Sequence, residues 1–144
     1  MSISLGVVDD HQLFLKSLSL MLSSFKDFMV TIEALNGKDL QYKLQQNSVI
    51  PDIILLDVSM PVMNGVETAG WLTKVHPSIK CVALSMDDND NTIINMIRAG
   101  CCAYLLKDTH PDELEKALNE IADEAEKRGY TDEDLDKWLE DENQ

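Results

Sequence analysis

The chain has 144 residues, a net charge of −14 and 44% apolar residues. That length suits one domain with a sizeable core, and the apolar share excludes a disordered acidic chain. The acid surplus would be repelled by phosphate backbones, so no direct DNA binding by this chain is expected. The surplus is uneven: residues 111–144 carry 14 acids against 4 bases, and residues 1–110 carry 12 against 8. The longest aliphatic run, Ile53 to Leu56, is too short to span a bilayer. No basic segment followed by a long apolar stretch opens the chain, so neither a signal peptide nor membrane association is expected. Cysteines stand at 81, 101 and 102, an odd number without CxxC spacing. They read as reduced thiols in a cytoplasmic protein without a zinc site.

Apolar runs and helical patterns alternate along the chain. Ser4 to Val8 is a short strand ending in Asp9-Asp10. From His11 to Ser24, leucines and Met21 recur at helical spacing. Met29 to Ile32 is a second strand, closed by Asn36-Gly37, and Leu40 to Leu44 suits a helix. Pro51 opens a third strand, Asp52 to Leu56, which runs into Asp57. Asn64-Gly65 precedes a helix through Trp71 and Leu72. Ile79 to Leu84 is a fourth strand ending at Ser85, and Asn91 to Ala99 is a helix stopped by Gly100. Cys102 to Leu106 is a fifth strand ending at Lys107, and Pro111 starts a long helix to about Arg128.

Five strands alternating with five helices predict an α/β fold with a parallel sheet covered on both faces. Right-handed crossovers leave few topologies, and the flavodoxin-like doubly wound order 2-1-3-4-5 is the expected one. Two segments are expected: a domain over 1–128 and an acidic tail over 129–144. In the tail Thr131 can cap a short amphipathic helix carrying Leu135, Trp138 and Leu139 on one face. That helix either docks on its own domain, binds a partner or self-associates.

Ligands of doubly wound sheets collect beyond the carboxyl ends of the strands. Asp9-Asp10, Asp57, Ser85 and Lys107 all fall there, four separated positions each directly after an apolar run. Three carboxylates brought close repel one another, and a hard divalent cation relieves that repulsion. Magnesium (or manganese) is the expected cofactor. Taken singly, Asp9 or Asp10 could serve a helix dipole, and Ser85 could be an ordinary polar strand end. Asp57 is a candidate covalent nucleophile towards phosphorus, with Lys107 as a point charge on the phosphoryl group.

The combination of Asp9-Asp10, Asp57 with Met60-Pro61 and Asn64-Gly65, Ser85, and Tyr104 with Lys107 resembles the receiver domains of two-component response regulators. The resemblance covers residues 3 to about 127. Val7-Val8-Asp9-Asp10-His11 and Tyr104-Leu105-Leu106-Lys107-Asp108 are most similar to the LuxR-type subfamily, whose members usually carry a helix-turn-helix domain after the receiver. The resemblance implies that Asp57 is the phosphoacceptor, that Asp10 binds the metal directly and Asp9 through water, and that Ser59 offers its backbone carbonyl to the metal. It implies that Ser85 is the switch hydroxyl, Lys107 the phosphate-contacting lysine and Tyr104 the aromatic that moves with the hydroxyl. Tyr104 is also expected as an edge-strand aromatic packing on the fourth helix.

A sensor histidine kinase is the implied partner, and homodimerisation through helix 4, strand 5 and helix 5, or through helices 1 and 5, is the implied assembly. Asp108 departs from the proline common in receivers, in keeping with the LuxR-type subfamily. The acidic tail departs further, and a natural ending, a truncation and an engineered replacement all remain open. The parent protein reads as a transcriptional regulator or else as a stand-alone receiver, natural or engineered, acting as a phosphorelay or protein-binding module. A haloacid-dehalogenase-like phosphatase would need an aspartate where Ser59 stands. A flavodoxin-like FMN carrier would need a phosphate-cradling loop where Asp9-Asp10 stands. A degenerate receiver that only binds a partner would not need the full set of acids and lysine.

Overall fold

The computed structural model describes residues 2–46, 50–86 and 89–128. The helix expected around Thr131 to Leu139 lies outside the described residues. The strands are β1 (Ile3–Val8), β2 (Phe28–Ala34), β3 (Ile53–Asp57), β4 (Lys80–Ser85) and β5 (Ala103–Leu106). The helices are α1 (Gln12–Ser24), α2 (Gly37–Gln46), α3 (Gly65–Val75), α4 (Asp90–Ala99) and α5 (Pro111–Arg128). The sheet has the order β2-β1-β3-β4-β5, with every neighbouring pair parallel. This is the expected flavodoxin-like arrangement.

Two apolar layers sandwich the sheet. On one face Leu40 and Leu44 of α2, Leu72 of α3 and Met96 of α4 pack against Val8, Ile54, Leu56 and Ala83. On the other, Leu15, Leu18 and Leu22 of α1 with Leu114 and Leu118 of α5 pack against Leu5, Val7, Ile53, Leu55 and Leu84. Strands β3 and β4 lie centrally and are apolar on both faces, as parallel strands buried on both sides must be.

Several boundaries differ from those read off the sequence, and side-chain caps explain three of them. The Asn36-Gly37 pair begins α2 instead of merely closing β2, because Asn36 Oδ1 accepts the Asp39 N–H at 2.9 Å. Asn64 caps α3 in a reciprocal box with Glu67, accepting its N–H at 2.9 Å. Asn89 caps α4 through the Asn91 and Thr92 N–H groups, so the helix starts one residue early. Strand β2 reaches Ala34 because Glu33 and Ala34 stay in register with Val7 and Val8.

Candidate active site at the carboxyl edge of the sheet

Because all five strands run the same way, their carboxyl ends open on one edge. Asp9 directly follows β1, Asp57 and Ser85 are the last residues of β3 and β4, and Lys107 directly follows β5. The backbone holds this edge tightly. The Asp9 N–H donates to the Ala34 carbonyl at 3.0 Å, the Val58 N–H to Leu84 at 3.1 Å and the Lys107 N–H to Ser85 at 2.8 Å. Each of these strand ends is thus anchored by a main-chain bond to the neighbouring strand before any side chain makes a contact.

The centre of the site is a buried ion cluster. Lys107 Nζ lies 2.7 Å from Asp9 Oδ2 and 3.2 Å from Asp57 Oδ1. Its side chain is 6% exposed, and those of Asp9 and Asp57 are 0% and 5% exposed. Burial raises the Asp57 carboxyl from 3.8 to about 6, Asp9 adds to the rise, and the Lys107 charge and hydrogen bond with the Ser59 backbone bond work against it. Burial alone would lower Lys107, but its hydrogen bond to Asp9 and the charges of Asp57 and Asp9 outweigh this and raise it. One ammonium therefore serves two buried carboxylates, and Asp10 adds a third acid at the rim.

Whether these groups fit a divalent cation can be read from their free atoms. Both oxygens of Asp9 are engaged: Oδ1 accepts the His11 N–H at 2.9 Å, and Oδ2 is ion-paired with the Lys107 ammonium. Asp9 Oδ2 and Asp10 Oδ1 are both buried without a hydrogen bond, but Asp9 Oδ2 has the Lys107 ammonium at 2.7 Å, whereas the nearest ion-pair partner of Asp10 Oδ1 is His11 Nδ1 at 3.6 Å. Three carboxylates against one lysine leave a surplus of two negative charges, which one divalent cation would cancel. Hard oxygen donors of this kind suit magnesium or manganese. The groups present therefore fit such a cation, with Asp10 better placed than Asp9 to bind it directly. His11 Nδ1 stands 3.6 Å from carboxylate oxygens of both Asp9 and Asp10.

The loop after β3 depends on a close approach. A Cβ on Gly65 would meet the Asp57 carbonyl at 2.6 Å and Val58 Cα at 2.8 Å. Only glycine lets α3 begin against the strand end that carries Asp57, and the Gly65 N–H donates to the Val58 carbonyl at 3.0 Å. Within the same loop Val62 takes φ 68°, a left-handed conformation that strains a β-branched residue, and is 77% exposed. Ser59 and Met60 lie between these points, Ser59 exposed and Met60 buried in the core.

Comparison with known proteins agrees with this arrangement. The family model for the response regulator receiver domain matches residues 5–119. The chain belongs to that family. It is 31% identical over 120 residues to the transcriptional regulatory protein DegU of Brevibacillus brevis, covering 83% of this chain and 50% of the relative. It is 35% identical over 116 residues to the nitrate/nitrite response regulator protein NarL of Escherichia coli, covering 81% of this chain and 53% of the relative. The receiver thus spans about half the length of the curated relatives it matches, and these are of the LuxR/NarL type. The solved receiver domain of the putative response regulator NarL from Mycobacterium tuberculosis superposes with a TM-score of 0.77 at 27% identity, covering 85% of this chain and 97% of that one. A CheY-like receiver from Methanospirillum hungatei gives 0.80 at 26% identity, covering 90% and 100%.

In this receiver the structure joins Asp9 and Asp57 to Lys107, sets Asp10 beside Asp9 at the rim, and places Ser85 at the end of the adjoining strand. Tyr104 sits on edge strand β5, paired with Ala83, and packs half-buried against the layer that contains Met96 of α4. Sequence reasoning missed Phe14, whose ring centroid lies 4.7 Å from Lys107 Nζ. The ring gives the ammonium an attractive wall in addition to its two acids. No local signal marks Phe14, which reads as one apolar position of α1 among many. Among the described residues no helix is long and apolar enough to cross a membrane.

Proposed function

We propose that this receiver accepts a phosphoryl group on Asp57 from a phosphohistidine of a sensor histidine kinase and thereby switches its α4–β5–α5 face. The observation that carries this reading is the placement of Asp57: a buried carboxylate at a strand end, 3.2 Å from Lys107 and amid a surplus of acid. An Asp57 oxygen attacks phosphorus while the phosphorus–nitrogen bond of the donor breaks. Lys107 moves its charge from the Asp57 carboxylate to an oxygen of the arriving phosphoryl group. A bound magnesium or manganese ion, held by Asp10, Asp57 and the Ser59 carbonyl with Asp9 acting through water, would supply charge neutralisation for the transfer.

The Ser85 hydroxyl, at the end of the adjoining strand, donates to the new phosphoryl oxygens, and Tyr104 follows into the space this opens. Both residues border the α4 side of the sheet, so phosphate contacts bias a two-state surface there. The first reading of the output is transcriptional control, in keeping with transcriptional regulators of which the matched stretch covers about half. A protein-binding output of a stand-alone receiver is the second reading, favoured by the acid excess in residues 111–144. The test is intact mass after incubation with acetyl phosphate and magnesium, on wild type and Asp57→Asn. A gain of one phosphoryl group in wild type alone is expected. No gain from acetyl phosphate or from a phosphorylated kinase, in folded protein that binds magnesium, would refute the assignment.

A further inference from the structure

At the opposite end of β4 from Ser85 lies a pair of thiols that phosphoryl chemistry does not use. Cys81 is the second residue of β4, and Cys101 directly follows Gly100, which closes α4. Their Sγ atoms are 3.3 Å apart, and both side chains are buried in the same apolar layer as Met96 and Ala83. The backbone holds both partners: the Cys101 N–H donates to the Met96 carbonyl at 3.0 Å, and the Cys102 N–H to the Cys81 carbonyl at 2.9 Å. Two sulfurs already in contact have little distance left to close to the S–S bond length of about 2 Å. The two differ in chemistry. The bond to Cys101, then burial, holds the Cys81 thiol far above the ordinary thiol range, and the same bond lowers Cys101, which is therefore the more readily ionised of the two. Cys102 faces solvent and serves as an internal comparison.

We infer that Cys81 and Cys101 are a modification site, joined into a reversible intramolecular disulfide when the protein meets a hydroperoxide. The Cys101 thiolate attacks the terminal peroxide oxygen, the oxygen–oxygen bond breaks, and an alcohol or water leaves after taking up a proton. Cys101 is then a sulfenic acid. The Cys81 sulfur attacks that sulfur, the sulfur–oxygen bond breaks, and hydroxide leaves with the Cys81 proton as water. Two thiols lose two electrons and one peroxide gains them. The new bond fastens the end of α4 to the start of β4. It lies four residues from Ser85 along the strand, roughly 13 Å at the usual strand rise, so it forms whether or not Asp57 is phosphorylated.

The test treats the full chain and its Cys102→Ser variant with hydrogen peroxide, then denatures, blocks free thiols with N-ethylmaleimide and measures intact mass. Cys102→Ser should take up no maleimide, weigh two hydrogens less, stay monomeric and yield a peptide joining the segments around 81 and 101. Dithiothreitol should restore two blockable thiols. In Cys81→Ser, a dimedone adduct should form on Cys101; should that variant fail to fold, Cys102→Ser alone carries the test. The inference is overturned if both buried thiols stay blockable at a peroxide dose that oxidises Cys102 in the full chain. Conversion of Cys101 to sulfinic acid without a link, or linkage only between two chains, would overturn it equally.

Discussion

Asp52 and Asp57 flank the same strand, one at each end of β3, and their surroundings differ in kind. Asp52 is exposed, and its Oδ2 accepts the Ser4 N–H at 2.9 Å and the Ser4 hydroxyl at 3.2 Å. Its own N–H bonds back to Ser4, and its carbonyl accepts the Lys80 N–H at 3.0 Å. The Asp52 carboxylate finds its partners locally, and the result is a tie between β1, β3 and β4. Asp57 is buried and shares one ammonium with Asp9, whose neighbour Asp10 adds further acid at the rim. The sheet's amino edge is chemically closed here, and its carboxyl edge is short of positive charge. A carboxylate with neutral partners holds the fold together, whereas a buried one left short of cations invites a metal or a phosphoryl group.

The contrast can be broken or sharpened by removing groups at the two edges. The largest effect is expected at Lys107. Lys107→Met leaves two buried carboxylates without a cation and should destabilise the chain by about 3 kcal/mol in EDTA at pH 8. Urea unfolding should show the loss shrink as pH falls from 8 towards 6, because Asp57 without the lysine takes up its proton above the wild-type value of about 6, and on adding magnesium. A pH-independent loss would mean that Lys107 matters through packing alone.

Asp57→Asn comes next, with the opposite sign. The folded state binds the Asp57 proton more tightly than the unfolded chain, so the stability it contributes is complete below pH 3.8 and is lost as pH rises through about 6. A rise from 3.8 to about 6 corresponds to roughly 3 kcal/mol with the Lys107 attraction already included, part of which is given back because an amide fits the site less well than a protonated carboxyl does. The variant should therefore be more stable than wild type by about 2 kcal/mol at pH 7.5 in EDTA, with the gain vanishing near pH 4. The smallest effect belongs to the closed edge. Ser4→Ala removes one hydroxyl tie to Asp52 and should cost about 1 kcal/mol. The cost should be the same with and without magnesium, because the site lies at the other end of the strand.

Much of this design is legible in the sequence because parallel strands obey a positional rule. A continuous run such as Ile53 to Leu56 must be buried on both faces, and the residue that ends it must sit on the ligand-binding edge. Asp9, Asp10, Asp57, Ser85 and Lys107 can all be placed in this way, without any contact being known. What stays hidden is the allocation of individual atoms. That Asp9 spends one oxygen on the His11 amide and the other on Lys107 depends on how strands β1 and β5 meet across two intervening strands. The Phe14 contact with Lys107 and the meeting of Cys81 with Cys101 are likewise tertiary, joining residues 93 and 20 positions apart. The early start of α2 is within reach of sequence reasoning, since Asn36 three residues before Asp39 has the spacing of a helix cap.

The most direct test of the charge shortage is a titration of the Asp57 carboxyl followed by carbon-detected NMR, first in EDTA and then in saturating magnesium. In EDTA the midpoint should lie at about 6, and magnesium should pull it below the ordinary carboxylate value of 3.8. A midpoint near 3.8 in EDTA that magnesium does not move would show that Lys107 already satisfies the site, and the distinction between the two edges would fall.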